Sequence, residues 1–294
     1  MGLYKTPLRY PGGKQRLAPF IREILLENKL IGGHYVEPYA GGAGVAIELL
    51  LADNVSHIHL NDSSAHIYAF WHSVKFHAEE FCDRISSTEM SVEEWLRQRE
   101  IVRHPEGQDL IDLGFGTFFL NRCNRSGVIS GGLIGGLSQA GKWKMDARFP
   151  RRDLICRIKD IASKKDSISL YNCNAEQFIA NNIPTLPTNT LVYCDPPYYA
   201  QSSKLYLNDY KEEDHARVAQ VIQEQLPRKW IVSYDGVREV QMLYQHREQF
   251  LYKLQYNASR VYKGQEIFIF SDDLTIPSQS SLKFVNEALH PRLI

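Results

Sequence analysis

The 294-residue sequence predicts an α/β fold: a mostly parallel sheet of about seven strands, flanked by helices and interrupted by one insertion. Three observations carry that expectation. Apolar runs of strand length alternate with helically spaced segments up to about residue 74 and again from about residue 166. The stretch between them changes character, first to helical spacing and then to a glycine-rich, basic segment. Finally, a glycine-rich loop and a double-proline turn each follow a strand, at the carboxyl end where open α/β sheets bind ligands.

Taken in order, Leu17 to Lys29 has apolar residues at helical spacing, namely Leu17, Ile21, Ile24 and Leu25. His34 to Pro38 reads as a strand running into Gly41-Gly42-Ala43-Gly44, and Val45 to Ala52 as the helix that follows. His57 to Leu60 is a second strand, after which Ser63 or Ser64 caps a helix through about Val74. Residues 75–120 read as helical, with Val92, Trp95 and Leu96 facing a core. In the glycine-rich stretch from Ser126 to Trp143, the pairs Gly131-Gly132 and Gly135-Gly136 suit turns and hairpin ends. Strands return at Ile168–Tyr171, Leu191–Cys194, Trp230–Ser233, Phe250–Tyr256 and Glu266–Phe270, with helices at Glu212–Gln225 and Val237–His246. Residues 1–74 and 166–294 thus form one ligand-binding domain, and residues 75–165 an insertion into it.

Composition narrows the class. With 44% hydrophobic and 23% charged residues, the chain reads as soluble and globular. No apolar run approaches the roughly 18 residues needed to span a bilayer, and the N-terminus lacks the apolar core of a signal peptide. Met1-Gly2 begins a loose fit to a myristoylation pattern, which is too short and common to outweigh the reading of the residues that follow. The five cysteines are scattered and the ten histidines dispersed, so neither a disulfide framework nor a metal site is expected, and a reducing cytoplasm is. Lys plus Arg equals Asp plus Glu, 34 against 34, yet Arg122 to Lys165 holds eleven basic and three acidic residues. A basic block in a neutral chain suits contact with phosphates, the competing reading being a solvated face.

The chemistry is concentrated in Asp195-Pro196-Pro197-Tyr198, directly after the apolar run Leu191 to Cys194. Consecutive prolines fix φ and force extended geometry on the residues before them. That rigidity aims the Asp195 carboxylate and the Pro196 carbonyl at one point. Two acceptors there hold the two N–H bonds of an exocyclic amine and free its lone pair for attack, while Tyr198 offers a flat face to an extruded base. A turn with an incidental acid is the competing reading. These residues resemble the amino-methyltransferases, and specifically the Dam-like N6-adenine DNA methyltransferases, where Asp in first position points to adenine in DNA. The resemblance implies a Rossmann-like methyltransferase sheet with S-adenosylmethionine as cofactor, and covers nearly the whole chain.

Other segments extend it. Val36 to Gly44 resembles the family's cofactor loop, with Glu37, Gly41, Gly42 and Gly44 as binding residues, and its glycines admit close backbone approach. Asp62, eighteen residues after Gly44, ends a strand where a carboxylate accepts ribose hydroxyls. Leu8 to Lys14 resembles a further motif, in which Tyr10 packs on the cofactor and Lys14 lies near its carboxylate. Asn174 matches the position that flanks the cofactor adenine. Phe119 to Gly127 resembles the entry to the recognition hairpin, making Arg122, Asn124, Arg125 and Ser126 candidates for DNA contact. Lys142, Lys144, Arg148 and Arg151 are the expected phosphate contacts. Trp143 and Phe149 either stack at the DNA or fill the insertion's core. Beyond Gly127 the sequence departs from GATC-methylating members, so no target sequence carries over. The function implied is site-specific methylation of a flipped-out adenine in double-stranded DNA by a cytoplasmic monomer; whether a cognate restriction endonuclease, a phage or a housekeeping pathway employs it is left open by the sequence. The alternatives are an RNA or protein methyltransferase on the same fold and an inactive DNA-binding relative.

Overall fold

The computed structural model describes residues 5–9, 14–199, 210–257 and 261–277. Seven strands form one sheet: β1 (His34–Glu37), β2 (His57–Asn61), β3 (Ile168–Tyr171), β4 (Thr190–Cys194), β5 (Lys229–Asp235), β6 (Gln249–Asn257) and β7 (Val261–Phe270). Their order is β3-β2-β1-β4-β5-β7-β6. The first five are parallel, and β7 enters antiparallel between β5 and β6. The order reverses between β1 and β4, so the loops after these two strands diverge and leave a crevice between them.

Helices cover both faces. On one lie α1 (Ala18–Glu27), α2 (Gly44–Leu51), α3 (Ala65–Phe76) and α7 (Arg151–Ala162); on the other, α8 (Ala175–Asn181), α9 (Glu212–Gln225) and α10 (Arg238–Leu243). Each central strand feeds both layers by alternation. Tyr35, Leu191, Tyr193 and Ile231 pack on the first, and Val36, Val192, Cys194 and Val232 on the second. Among the described residues no helix is long and apolar enough to cross a membrane.

The stretch expected to be helical from residue 75 to 120 divides into α4 (Ala78–Ser87), α5 (Val92–Arg103) and α6 (Leu110–Cys123). These helices share the core of the first layer. Phe118 of α6 stacks on Phe70 of α3 at 6.0 Å, and Phe81 of α4 meets both edge-on. One difference from expectation is α7, whose Leu154, Ile158 and Ile161 form a buried stripe beneath basic residues. Another is the hairpin: the glycine-rich stretch contains no strand, only an isolated bridge between Asn124 and Leu133. Its glycines serve turns instead, with Gly135 and Gly136 at φ 84° and 70°.

Three histidines meet on β1 and β2. The rings of His34 and His57 lie 5.2 Å apart and those of His57 and His59 4.8 Å apart, while His34 Nδ1 is 3.0 Å from His59 Nε2. Burial lowers the proton affinity of all three, with mutual repulsion adding to it at His57 and His59; His59 falls to about 3. Lys75 adds to the effect at His57. In the unfolded chain these rings titrate near ~6.5. The contribution of His59 is therefore full above that pH and is lost as pH falls toward 3. Stability at pH 4 is expected to lie about 3 kcal/mol below that at pH 7 from His59 alone. Denaturant titrations across this range test it: H59Q should flatten the acid limb, and an unchanged limb would refute the assignment.

Candidate active site

β4 is buried along its whole length and delivers Asp195 to the crevice. Asp195 Oδ1 accepts two hydrogen bonds, from Lys14 Nζ at 3.0 Å and from Ser233 Oγ of β5 at 2.5 Å. The Ser233 hydroxyl is also 2.7 Å from the Tyr193 hydroxyl. Lys14 precedes the short turn that opens α1, and its ammonium is almost wholly buried. It donates to the Tyr198 hydroxyl at 2.9 Å and to both oxygens of Glu266 on β7, at 3.2 and 3.1 Å. Tyr198 in turn donates its hydroxyl proton to Glu266 Oε1. One amine, two carboxylates and a phenol thus meet in one cluster. Burial is the main influence raising the proton affinity of Asp195; Lys14 opposes it and Glu266 reinforces it. Pro196 is buried and Pro197 half-buried, and Asp235 accepts the Tyr199 N–H at 2.8 Å, fixing the far end of the turn.

The glycine loop follows β1. Gly41 and Ala43 both take left-handed backbone, at φ 45° and 44°, and Gly44 then opens α2. A side chain at Gly44 would come within 3.0 Å of Gln15 Cβ, so the loop and the N-terminal arm pack backbone against backbone. Glu37 at the end of β1 accepts the Ala46 N–H at 3.1 Å, in the first turn of α2. Burial pushes its carboxyl up to about 8, and the nearby Asp195 charge adds to the shift. Asp62 spans two backbones: Oδ2 accepts the Gly41 N–H and Oδ1 the Ser64 N–H, each at 2.9 Å. The carbonyl of Gly42 accepts from Thr6, and that of Gly41 from Trp71 at 2.9 Å. Asn174 caps α8 by accepting the Glu176 N–H at 2.8 Å. Tyr10 lies outside the described residues.

Two residues that sequence reasoning passed over belong to this site. Glu266 is 1% exposed, and nothing in an apolar strand pattern marks it from any other glutamate. Asn61, fully buried, donates to the carbonyls of Pro38 and Cys173 at 2.9 and 3.1 Å and accepts the Cys173 N–H at 3.0 Å. It ties together the chain leaving β1, β2 and β3. The dipeptide Asn61-Asp62 at a strand end was the available signal.

On the basic insertion the structure separates residues that share a charge. Arg125, Ser126, Lys142, Lys144 and Arg148 are exposed. Arg125 and Lys142 line an open groove of about 330 Å³ with Ile134, Gly135, Gly141 and Trp143. Trp143 is 66% exposed whereas Phe149 is 5% exposed and packs on Phe118 and Phe119, so the first is the surface aromatic and the second is core. Three of the expected DNA contacts bond within the protein instead. Asn124 is fully buried, donating to the Val128 and Ile129 carbonyls and accepting from Trp95 Nε1 at 2.8 Å. Arg122 is 7% exposed and turns to the Pro7 carbonyl; burial, with Arg9 and Arg157 nearby, lowers its pKa to about 9. Arg151 spends its guanidinium on the carbonyls of Ile85, Ser86 and Thr88, closing the end of α4. Asn121 makes a further internal tie. Its carboxamide accepts the Arg9 N–H at 2.7 Å and donates to the Arg9 and Gly127 carbonyls, both at 2.8 Å.

These are the ingredients of an amine-handling site: a rigid acid at a strand end, backed by a buried ammonium, beside a glycine loop. Comparison with curated proteins gives no match. Solved structures similar to the chain include the methyltransferase domain of a bacterial CtHen1 (7% identity, TM-score 0.39, 87% of this chain and 98% of that one). The rRNA methyltransferase aviRa from Streptomyces viridochromogenes follows at 12% identity and TM-score 0.33, covering 89% and 86%. Protein LPL1258 from Legionella pneumophila has 10% identity and TM-score 0.37, covering 94% and 92%. A family model matches residues 10–258, from the N-terminal arm through the Asp-Pro-Pro-Tyr turn to the end of β6. The chain therefore belongs to the D12 class N6 adenine-specific DNA methyltransferases.

Proposed function

We propose that the chain methylates the N6 amine of an adenine turned out of double-stranded DNA at a specific short site. The observation that carries this reading is the placement of Asp195, fixed by Lys14 and Ser233 at the carboxyl end of β4. S-adenosylmethionine, the cofactor of this family, supplies an electrophilic methyl carbon when bound.

The chain's own residues do the rest. Both anchoring bonds fall on Oδ1 of Asp195, which leaves Oδ2 to accept one N–H of the amine. The Pro196 carbonyl accepts the other, and the two prolines hold the pair of acceptors in fixed relation. An amine held by both hydrogens gives up its conjugation with the ring and directs its lone pair at the methyl carbon. Positioning of this kind is worth several kcal/mol of barrier. The proton released passes to Asp195, whose burial favours accepting it. Tyr198, held by Lys14 and Glu266, supplies the surface against which the base rests. The Gly41–Gly44 turn, Glu37, Asp62, Lys14 and Asn174 surround the cofactor. Asp62 keeps acceptor capacity on both oxygens for ribose hydroxyls, since each already carries one backbone bond.

Residues 75–165 serve as the target-recognition region of a catalytic domain made of residues 1–74 and 166–294. Arg125 and Ser126 face base edges, and Lys142, Lys144 and Arg148 face phosphates. The chain is read as a cytoplasmic monomer acting on double-stranded DNA.

Incubation with DNA and methyl-labelled cofactor, followed by nucleoside mass spectrometry, tests the whole reading. Label is expected in N6-methyldeoxyadenosine; label in RNA, or in no nucleoside, overturns it. D195A should lower kcat by about 10²-fold or more while the chain still melts cooperatively. A folded D195A variant with wild-type turnover would remove Asp195 from the mechanism. K142A and R148A should each weaken binding to all duplexes alike and reduce the slope of log K against log salt by about 0.9. A slope equal to wild type would show that these side chains do not meet phosphate.

A further inference from the structure

The loop that carries Trp143 is braced from within. Leu133 and Met145, each 3% exposed, root its two ends in the core, and the Ile134 N–H donates to the Cys123 carbonyl at the end of α6 at 2.9 Å. Between these roots one side chain ties the loop to itself. The Gln139 carboxamide donates to the carbonyls of Ile134 and Gly136, at 2.8 and 2.6 Å, and accepts the Met145 N–H at 2.9 Å. Its backbone carbonyl accepts from the Lys144 ammonium. Gln139 takes left-handed backbone at φ 49°, a strained choice for a residue with a side chain, and these bonds hold it there. The packing is equally close at Gly135, where a side chain would come within 2.9 Å of the Trp143 carbonyl.

The brace holds an aromatic ring out in water. Trp143 is 66% exposed, whereas the other three tryptophans, Trp71, Trp95 and Trp230, are each 3% exposed. The Lys142 ammonium lies 5.7 Å from the centroid of the Trp143 ring, and Arg125 lines the same groove. From Arg125 to Arg148 the chain has four basic residues and one acid, Asp146, all five exposed. Cations alone would suit phosphates, but they do not account for a large apolar ring among them. A duplex presents both features, flat base faces between two lines of phosphate. We infer that Trp143 is a wedge that seats against the base stack of double-stranded DNA, and that Gln139 is the positioning residue that holds it out. The inference rests on the function proposed above and deepens it. The ring adds to the phosphate contacts a contribution that salt does not screen. It also favours base steps that unstack easily, such as pyrimidine–purine steps.

The test is titration of the full chain with a mixed-sequence duplex, followed by tryptophan emission and repeated over a range of salt. Stacking should quench the emission of wild type, and W143F should lose that change because the remaining three indoles are buried. W143A should bind about tenfold more weakly, with the same slope of log K against log salt as wild type. W143F, which keeps a flat ring, should recover most of the affinity. Q139A should resemble W143A, and the double variant should bind no worse than either single one. Quenching that persists in W143F, full affinity in W143A, or a lower salt slope in W143A overturns the wedge. Losses that add in the double variant overturn the role of Gln139. If wild type binds no duplex, the functional reading fails and this inference with it. If wild type binds and methylates DNA and W143A does both equally well, this inference alone fails.

Discussion

A lysine ammonium buried to a few per cent exposure costs several kcal/mol unless it is met by opposite charge and hydrogen bonds. Lys14 meets that requirement with partners from two distant parts of the chain: Asp195 and Tyr198 after β4, and Glu266 on β7. None of these groups is well placed without the others. Removing Lys14 would take the shared cation from both Asp195 and the buried Glu266. The N-terminal arm, the central parallel strand and the antiparallel strand are thereby obliged to come together, and the point where they meet is the crevice where the strand order reverses.

The rest of the cofactor side repeats the same logic with hydrogen bonds from side chains to backbone. Asp62 holds the glycine turn to the start of α3, Asn61 holds the ends of three strands, and Thr6 and Trp71 secure the carbonyls of Gly42 and Gly41. The left-handed residues at Gly41 and Ala43 persist because these bonds over-determine the turn. A loop described from sequence by its glycines is held in the structure mostly by the side chains around it.

The strands were legible from apolar and aromatic residues between turn residues, most plainly at β4 and β5, which are buried on both faces of the sheet. The motif residues were legible because Pro-Pro and clustered glycine restrict backbone in recognisable ways. What escaped was set by tertiary packing. Basic residues alone do not announce whether they will be covered: Arg122 and Arg151 are consumed by backbone carbonyls, while Arg125 and Arg148 reach solvent. The stripe Leu154, Ile158, Ile161 was present but masked by the charges interleaved with it. Paired glycines promised a hairpin, yet with four of them among residues 131–136 too few β-branched and aromatic side chains remained to pair strands, and turns resulted. Glu266 carried no local signal, since its importance lies in the identity of residues more than sixty positions away.

The tie between Asn121, Arg9 and Gly127 divides the insertion into two parts with different freedoms. At φ 77°, and with a hypothetical side chain falling 2.2 Å from the Arg9 carbonyl, Gly127 admits no replacement without moving the arm that leads to Lys14. In the loop beyond it Trp143 is exposed and a side chain at Gly132 would meet nothing within 4 Å, whereas one at Gly131 or Gly135 would come within 2.9 Å of a backbone carbonyl. What must be inherited unchanged therefore extends past that turn as isolated positions, and the freedom to diversify lies between them, at residues such as Gly132.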